Sequence, residues 1–101
     1  MICRGNTMVT KNNYISRGVD LSIPRELQLF ILRCMDNLPE LHDDVQIFEL
    51  KQKGKLQSIT HRTVEPDYRR NYDLSMEDPI TQKIYVVEQK DFSTMLLASE
   101  A

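Results

Sequence analysis

The sequence has few of the residues on which nucleotide-binding loops, disulfide frameworks and zinc sites depend. It contains three glycines, two cysteines and no tryptophan. The three glycines form no G-x-G-x-x-G, Walker or G-x-S-x-G pattern, which excludes the standard nucleotide-binding loops and the serine-hydrolase elbow. Cys3 lies in the expected leader and Cys34 within an apolar helical stripe. The two cysteines therefore predict neither a disulfide nor a zinc framework, which is typical of a reducing compartment.

An excess of positive charge and a long apolar run are also missing. The formal net charge is −2 at pH 7, so the chain has no global attraction to nucleic acid or to an anionic membrane. The apolar runs are only a few residues long, and residues 1–8 lack the apolar stretch of a secretory signal. We therefore expect a cytoplasmic protein with no membrane partner.

What is present is the composition of an ordinary globular domain. The chain has 101 residues, of which 41% are hydrophobic and 28% are charged. This length suits one hydrophobic core, and the apolar fraction is too high for a disordered chain. We expect a flexible leader over residues 1–10 and a single α+β domain over residues 11–101.

An amphipathic helix is the clearest local pattern. Ser22 can accept backbone hydrogen bonds at a helix start, and Pro24 fits the first turn because that turn needs no donor. Pro39 is expected to end the helix. Between these residues, apolar side chains recur at helical spacing on one face: Leu27, Phe30, Ile31, Cys34, Met35 and Leu38.

Five further segments are rich in strand-forming residues. Gly54 can take a positive φ in a tight turn between two of them, and residues 65–79, which are polar and contain Pro66 and Pro79, are expected to form a long loop. The helix should pack on one face of an antiparallel sheet of about five strands, an α+β two-layer sandwich. The predicted strands are residues 13–19, 45–51, 56–64, 80–88 and 92–99.

The candidate ligand-binding residues lie in segment 61–72. Arginine can chelate phosphate with two hydrogen bonds and tyrosine can stack on a base, so the segment suits a single-stranded or loop RNA surface. The same residues are also typical of a solvated loop whose tyrosines pack against the sheet. The candidates are His61, Arg62, Glu65, Tyr68, Arg69, Arg70 and Tyr72.

Catalytic and metal sites are not expected. His61 and Glu65 could form an acid–base pair or ligate a metal, but a spacing of four residues converges only in a helix. Here the spacing crosses from a strand end into a proline loop, so we predict a surface histidine. Cys34 lies on the apolar stripe, where its thiolate would be disfavoured, and His42 with its acidic neighbours reads as a solvated turn. We therefore predict no cofactor.

Several short segments follow one another in a distinctive order: Tyr14–Val19, Ile23–Phe30, Gln46–Leu50, His61–Arg62, Glu65–Tyr68, Ile84–Val87 and Ser93–Ala98. Together they resemble a small family of uncharacterised Firmicute proteins, described as staphylococcal proteins of unknown function. The resemblance covers about residues 12–100 and implies a cytoplasmic single-domain protein, but it transfers no catalytic residue.

The leading functional hypothesis is a non-enzymatic protein-interaction or regulatory module, because no catalytic constellation is evident. Apolar strands such as Ile84–Val87 could pair or pack in a homo-oligomer, so we expect a protein partner or a second copy of the chain. The alternative is an RNA-binding or RNA-cleaving protein that uses segment 61–72. A small-ligand or metal site at His61 and Glu65 is the third possibility.

Overall fold

One six-stranded sheet dominates the computed structural model, which describes residues 12–39, 42–64 and 67–101. Two α-helices lie near the amino-terminal end and a 3-10 turn, Ala98–Glu100, lies at the other end. In chain order the elements are β1 Asn12–Ile15, α1 Arg17–Ser22, α2 Arg25–Asp36, β2 Val45–Lys53, β3 Leu56–Thr63, β4 Tyr68–Ser75, β5 Gln82–Glu88 and β6 Phe92–Leu97.

The sheet is open and mixed, with the strand order β1-β6-β5-β2-β3-β4. β1 runs parallel to β6, whereas the other neighbours are antiparallel. The predicted α+β character is retained, but the prediction of about five antiparallel strands was wrong in both number and direction. The turn between β2 and β3 contains Gly54 with φ of 62°, which confirms the predicted hairpin.

The segment between β1 and α2 differs from the prediction. The first strand ends at Ile15, and α1 occupies residues that were expected to be strand or the cap of the main helix. The Ser16 side chain accepts a hydrogen bond from the Val19 amide at 3.1 Å and donates one to Glu100 at 2.6 Å. This cap and its contact from the other end of the chain explain why a helix begins here. The predicted leader lies outside the described residues.

The predicted loop over residues 65–79 is the second correction. β4 fills most of it and pairs with β3 along its whole length, from Thr63 opposite Tyr68 to Leu56 opposite Ser75. β4 lies at the sheet edge, with most of its side chains exposed, so its composition is polar and resembles that of a loop.

The helices cover one face of the sheet, which we call the inner face. α2 buries Leu27 and Ile31 completely, and α1 buries Val19. Side chains alternate between the two faces of each strand, so the opposite face has no helix over it in the described residues. The inner-face strand residues of the core are Phe48, Leu50, Ile59, Ile84, Val86, Met95 and Leu97.

Within the described parts of the chain, neither helix combines the length and the apolar character needed to cross a bilayer.

Candidate functional site

The register of β3 and β4 divides the predicted site residues between the two faces of the sheet. His61 lies opposite Arg70, and Arg62 lies opposite Arg69. Residues opposite each other point to the same side of a sheet, so Arg62 and Arg69 are on the uncovered face. The remaining described candidates, His61, Tyr68, Arg70 and Tyr72, are together on the inner face. Glu65 lies outside the described residues.

His61 is a core residue and not the predicted surface histidine. It has no exposed surface, and its ring stacks on Phe48 with centroids 4.2 Å apart and planes at 16°. Its Nε2 lies 2.7 Å from Oε1 of Gln46. Because that amide oxygen accepts, Nε2 carries the proton and Nδ1 is left as a lone pair. Nδ1 has no hydrogen-bond partner among the described residues.

Burial, and to a lesser extent the positive charge of Arg70, together lower the pKa of His61 from 6.5 to about 4. The imidazole is therefore neutral near pH 7. In the ranges that the structure describes, no group of three or more His, Cys, Asp or Glu side chains could hold a metal ion. At neutral pH the geometry makes His61 a hydrogen-bonded packing residue.

Tyr68, Arg70 and Tyr72 continue the inner face to the sheet edge. Tyr68 meets the His61 ring edge-on at 5.1 Å, and the guanidinium of Arg70 lies 4.8 Å over the Tyr68 ring. Tyr72 contacts the ring of Phe30 on α2 at 5.1 Å. Both tyrosines are half-buried beside the helix layer, so they do not form an open platform for stacking bases.

Cys34 is buried on α2, as the apolar stripe predicted. Burial raises the pKa of its thiol, and a hydrogen bond with Tyr72 partly offsets that rise. Burial likewise raises the pKa of Tyr72. Both groups are neutral near pH 7, which suits packing and not nucleophilic chemistry.

The uncovered face, which we call the bare face, consists of the outward side chains of all six strands. Its apolar centre follows from the register, since Ile47 lies beside Tyr85 and Tyr85 lies beside Leu96. Near β1, Tyr14 and Phe92 meet edge-on at 5.7 Å and are 54% and 39% exposed. An apolar surface of this kind on a sheet face is typical of an interaction site.

The charges on the bare face are predominantly positive. Arg62 donates to Glu49 at 3.2 Å and holds the pKa of that carboxyl below its usual value. Lys53 pairs with Asp73 at 3.8 Å. Counted by strand alternation, the face holds five basic and two acidic side chains, a balance of +3 in a chain of net charge −2: Lys51, Lys53, Arg62, Arg69 and Lys83, with Glu49 and Asp73.

Sequence reasoning did not find the bare face, although one signal pointed to it. Ile84–Val87 is apolar at four successive positions, which indicates a strand with apolar side chains on both faces. β5 lies between β2 and β6, so both of its edges are already paired, and packing of its outward side chains on another copy stays a prediction. The apolar side chains that β5 contributes to the bare face are those of Tyr85 and Val87.

A cleft of about 360 Å³ lies between α2 and the end of β4. Leu29 and Phe30 of the helix and Leu74 of the strand give it apolar walls, and Glu26 and Arg33 lie at its rim. It is open to solvent, and no described acid–base or metal cluster adjoins it.

Comparison with known proteins finds a match to the family DUF960, described as staphylococcal protein of unknown function, over residues 12–100. The fold is similar to that of a crystal structure of a protein of unknown function from Enterococcus faecalis. The TM-score is 0.78 and the identity 20%, over 90% of this chain and 91% of that chain. No curated protein matches the sequence significantly.

Proposed function

Because the chain belongs to this staphylococcal family, whose description assigns no function, we propose from the geometry that the protein is a non-enzymatic interaction module. Its bare face binds an acidic surface of a partner protein. The observation that carries the proposal is the combination, on one uncovered face, of an apolar centre and a positive balance of charge in an acidic chain.

The distribution of side chains on this face matches the usual anatomy of an interface. Ile47, Tyr85 and Leu96 form a continuous apolar row, and Lys83 lies 5.9 Å from the ring of Tyr85. Protein interfaces commonly have an apolar centre and a charged rim. A positive rim favours partners with acidic side chains and speeds their encounter.

The size of the face suggests a transient complex. Strands about 4.8 Å apart and about seven residues long give a six-stranded sheet a face of roughly 24 by 23 Å. An area of that size falls in the small class of protein interfaces, in which weak signalling contacts are common.

Charge reversal on the bare face tests the proposal. Pull-downs from lysates of cells that express the protein natively would compare the wild type with Lys83→Glu, which reverses one charge beside Tyr85. The affinity tag is kept away from the bare face. Arg25→Glu is the matched control, because Arg25 is an exposed basic residue on α2. We expect the wild type and the control to retain an acidic partner, identified by mass spectrometry, and Lys83→Glu to lose it at low salt. The proposal would be refuted if the wild type, Lys83→Glu and Arg25→Glu captured the same proteins, or if the wild type captured none.

Binding of single-stranded RNA is the second candidate, and the positive balance of the bare face favours it. Arg62 and Arg69 point outward there, in one row across the sheet with Ile47 and Tyr85. Single strands bind sheet faces by stacking on aromatic rings and contacting basic side chains. Anisotropy of a labelled RNA at about 50 mM salt tests this. Arg62→Ala with Arg69→Ala should abolish binding and Arg70→Ala, on the inner face, should not. This candidate would be removed if the wild type did not bind the RNA, or if Arg70→Ala lost as much RNA binding as the double variant.

A further inference from the structure

We propose that the protein forms a symmetric dimer in which β4 pairs antiparallel with β4 of a second copy, centred on Asn71. The two six-stranded sheets would then join into one continuous sheet. This interface uses the backbone edge of the sheet, and it shares only Arg69 and Asp73, at the rim of the bare face, with the surface proposed for the acidic partner.

β4 is a long strand with an open side. It has eight residues and is the last strand in the sheet order, paired only with β3 among the described residues. It contains no proline, and its register with β3 is unbroken by a bulge. Prolines, bulges and charged side chains are the usual protections of an edge strand. β4 has the charges of Arg69, Arg70 and Asp73 but neither of the other two devices, so it can pair with a strand whose charges are complementary.

The hairpin between β2 and β3 shows which backbone groups of β4 are on the open side. Lys53 and Leu56 flank its two-residue turn and are therefore a hydrogen-bonded pair. Alternation along β3 and β4 then directs the amides and carbonyls of Tyr68, Arg70, Tyr72 and Leu74 toward β3. Those of Arg69, Asn71, Asp73 and Ser75 point away from it.

A side-chain contact supports this assignment. The carbonyl of Arg69 accepts a hydrogen bond from Nη1 of Arg70 at 3.0 Å, as expected for a carbonyl that β3 does not use. Arg70 is exposed, so a second strand can displace this hydrogen bond at little cost.

The charges along β4 are self-complementary about Asn71. In an antiparallel pair centred there, Arg69 of each copy lies opposite Asp73 of the other, on the bare-face side. Arg70 lies opposite Tyr72 on the inner side, where a guanidinium can contact a ring. Opposite charges at paired positions stabilise a two-stranded contact, and like charges destabilise it.

Other registers are less favourable. Only pairings that bring the open-side residues of both copies together can form hydrogen bonds. A centre on Arg69, Arg70 or Asp73 would place a charged residue opposite its own copy. A centre on Tyr72 would place Arg69 opposite Ser75 and lose both ion pairs.

Two charge reversals test the dimer. Arg69→Asp would oppose an aspartate to Asp73, and Asp73→Arg would oppose an arginine to Arg69. Each should weaken self-association about tenfold or more, because two attractive pairs become repulsive. Mixed in equal amounts, the two variants should dimerise with each other, since both pairs are then attractive again. Light scattering and sedimentation at up to about 100 µM suit an interface of this class.

Lys83→Glu is the matched control, because it reverses a bare-face charge on β5, away from the edge. It should remain a dimer. Asn71→Pro is a second variant: the Asn71 amide points to the open side, so proline removes no backbone hydrogen bond to β3. It removes only the exposed side-chain bond that Thr60 Oγ1 donates to Asn71 Oδ1 at 3.0 Å. It should be a monomer with the circular dichroism of the wild type.

A wild-type monomer, single variants that dimerise like the wild type, or a mixture that stays monomeric would each overturn the dimer. A dimer that survives Lys83→Glu while no acidic partner is captured would refute the proposed function alone. A wild-type monomer that still captures such a partner would refute the dimer alone.

Discussion

Acid should destabilise this protein well above the range in which its carboxylates become protonated, because of His61. The histidine is buried and its pKa falls from 6.5 to about 4 on folding. Between these pKa values the unfolded chain therefore binds a proton that the folded chain does not bind. The contribution of His61 to the free energy of unfolding is complete above pH 6.5 and is lost as pH falls toward 4. At about 1.36 kcal/mol per pH unit, the free energy of unfolding should drop by about 2 kcal/mol at pH 5 and about 3 kcal/mol at pH 4.

Urea denaturation at pH 7.5 and pH 5.0 measures this loss, with His61→Phe as the key variant. Phenylalanine preserves the stacked ring on Phe48 but removes the titrating group. It also leaves the Gln46 oxygen without its donor, so the variant should be less stable at pH 7.5 but much less sensitive to pH.

His42→Gln is the control for the other of the chain's two histidines. It removes the pair between His42 Nε2 and a Glu88 carboxylate oxygen at 2.6 Å but leaves His61 in place. It should retain the loss between pH 7.5 and 5.0. Equal pH dependence in the wild type and His61→Phe would show that His61 is not the buried neutral group described above.

Three further predictions concern packing and capping. Gln57 is fully buried, and its amide oxygen accepts a hydrogen bond from the Ile80 amide at 2.7 Å. Gln57→Leu should therefore lower the free energy of unfolding by about 2 to 3 kcal/mol in urea titrations. An unchanged free energy would contradict this. Ser16→Ala removes the cap of α1 and should cost about 1 kcal/mol in the same assay, whereas no loss would mean that the cap is dispensable. In a Cys3→Ser background, Cys34 should react with a thiol reagent more than about a hundredfold faster in urea than in buffer, and comparable rates would show that it is exposed.

The amphipathic pattern of α2 is local, and this explains why it was predicted closely. The apolar residues at helical spacing are those that the structure buries, including Leu27 and Ile31. The predicted start was two residues early, because Ser22 ends α1 and α2 begins after Pro24. Helix ends depend on neighbouring elements more than helix interiors do.

Gln46 and Gln57 show where pattern reasoning failed. Both are fully buried polar residues, which are rare, and nothing in their spacing distinguishes them from surface glutamines. Gln57 bridges β3 to the backbone of Lys51 and Ile80, and Gln46 holds His61. Only the arrangement of strands shows that such partners are available.

The candidate site was predicted in composition but not in arrangement. The sequence alone identified segment 61–72 as the most distinctive polar stretch and gave the family resemblance. It also determined that strands flank Gly54 and that Cys34 is in the core. These properties depend on neighbours along the chain, where turn chemistry and periodicity act.

Tertiary structure alone decided that residues 68–75 form an edge strand, that His61 is buried, and that Arg62 and Arg70 point to opposite faces. The physical reason is that the face a strand buries, and the edge it leaves open, depend on partners distant in sequence. Among the described residues β4 pairs on one side only, with β3, because the chain then returns to β5, which pairs with β2 at the centre of the sheet.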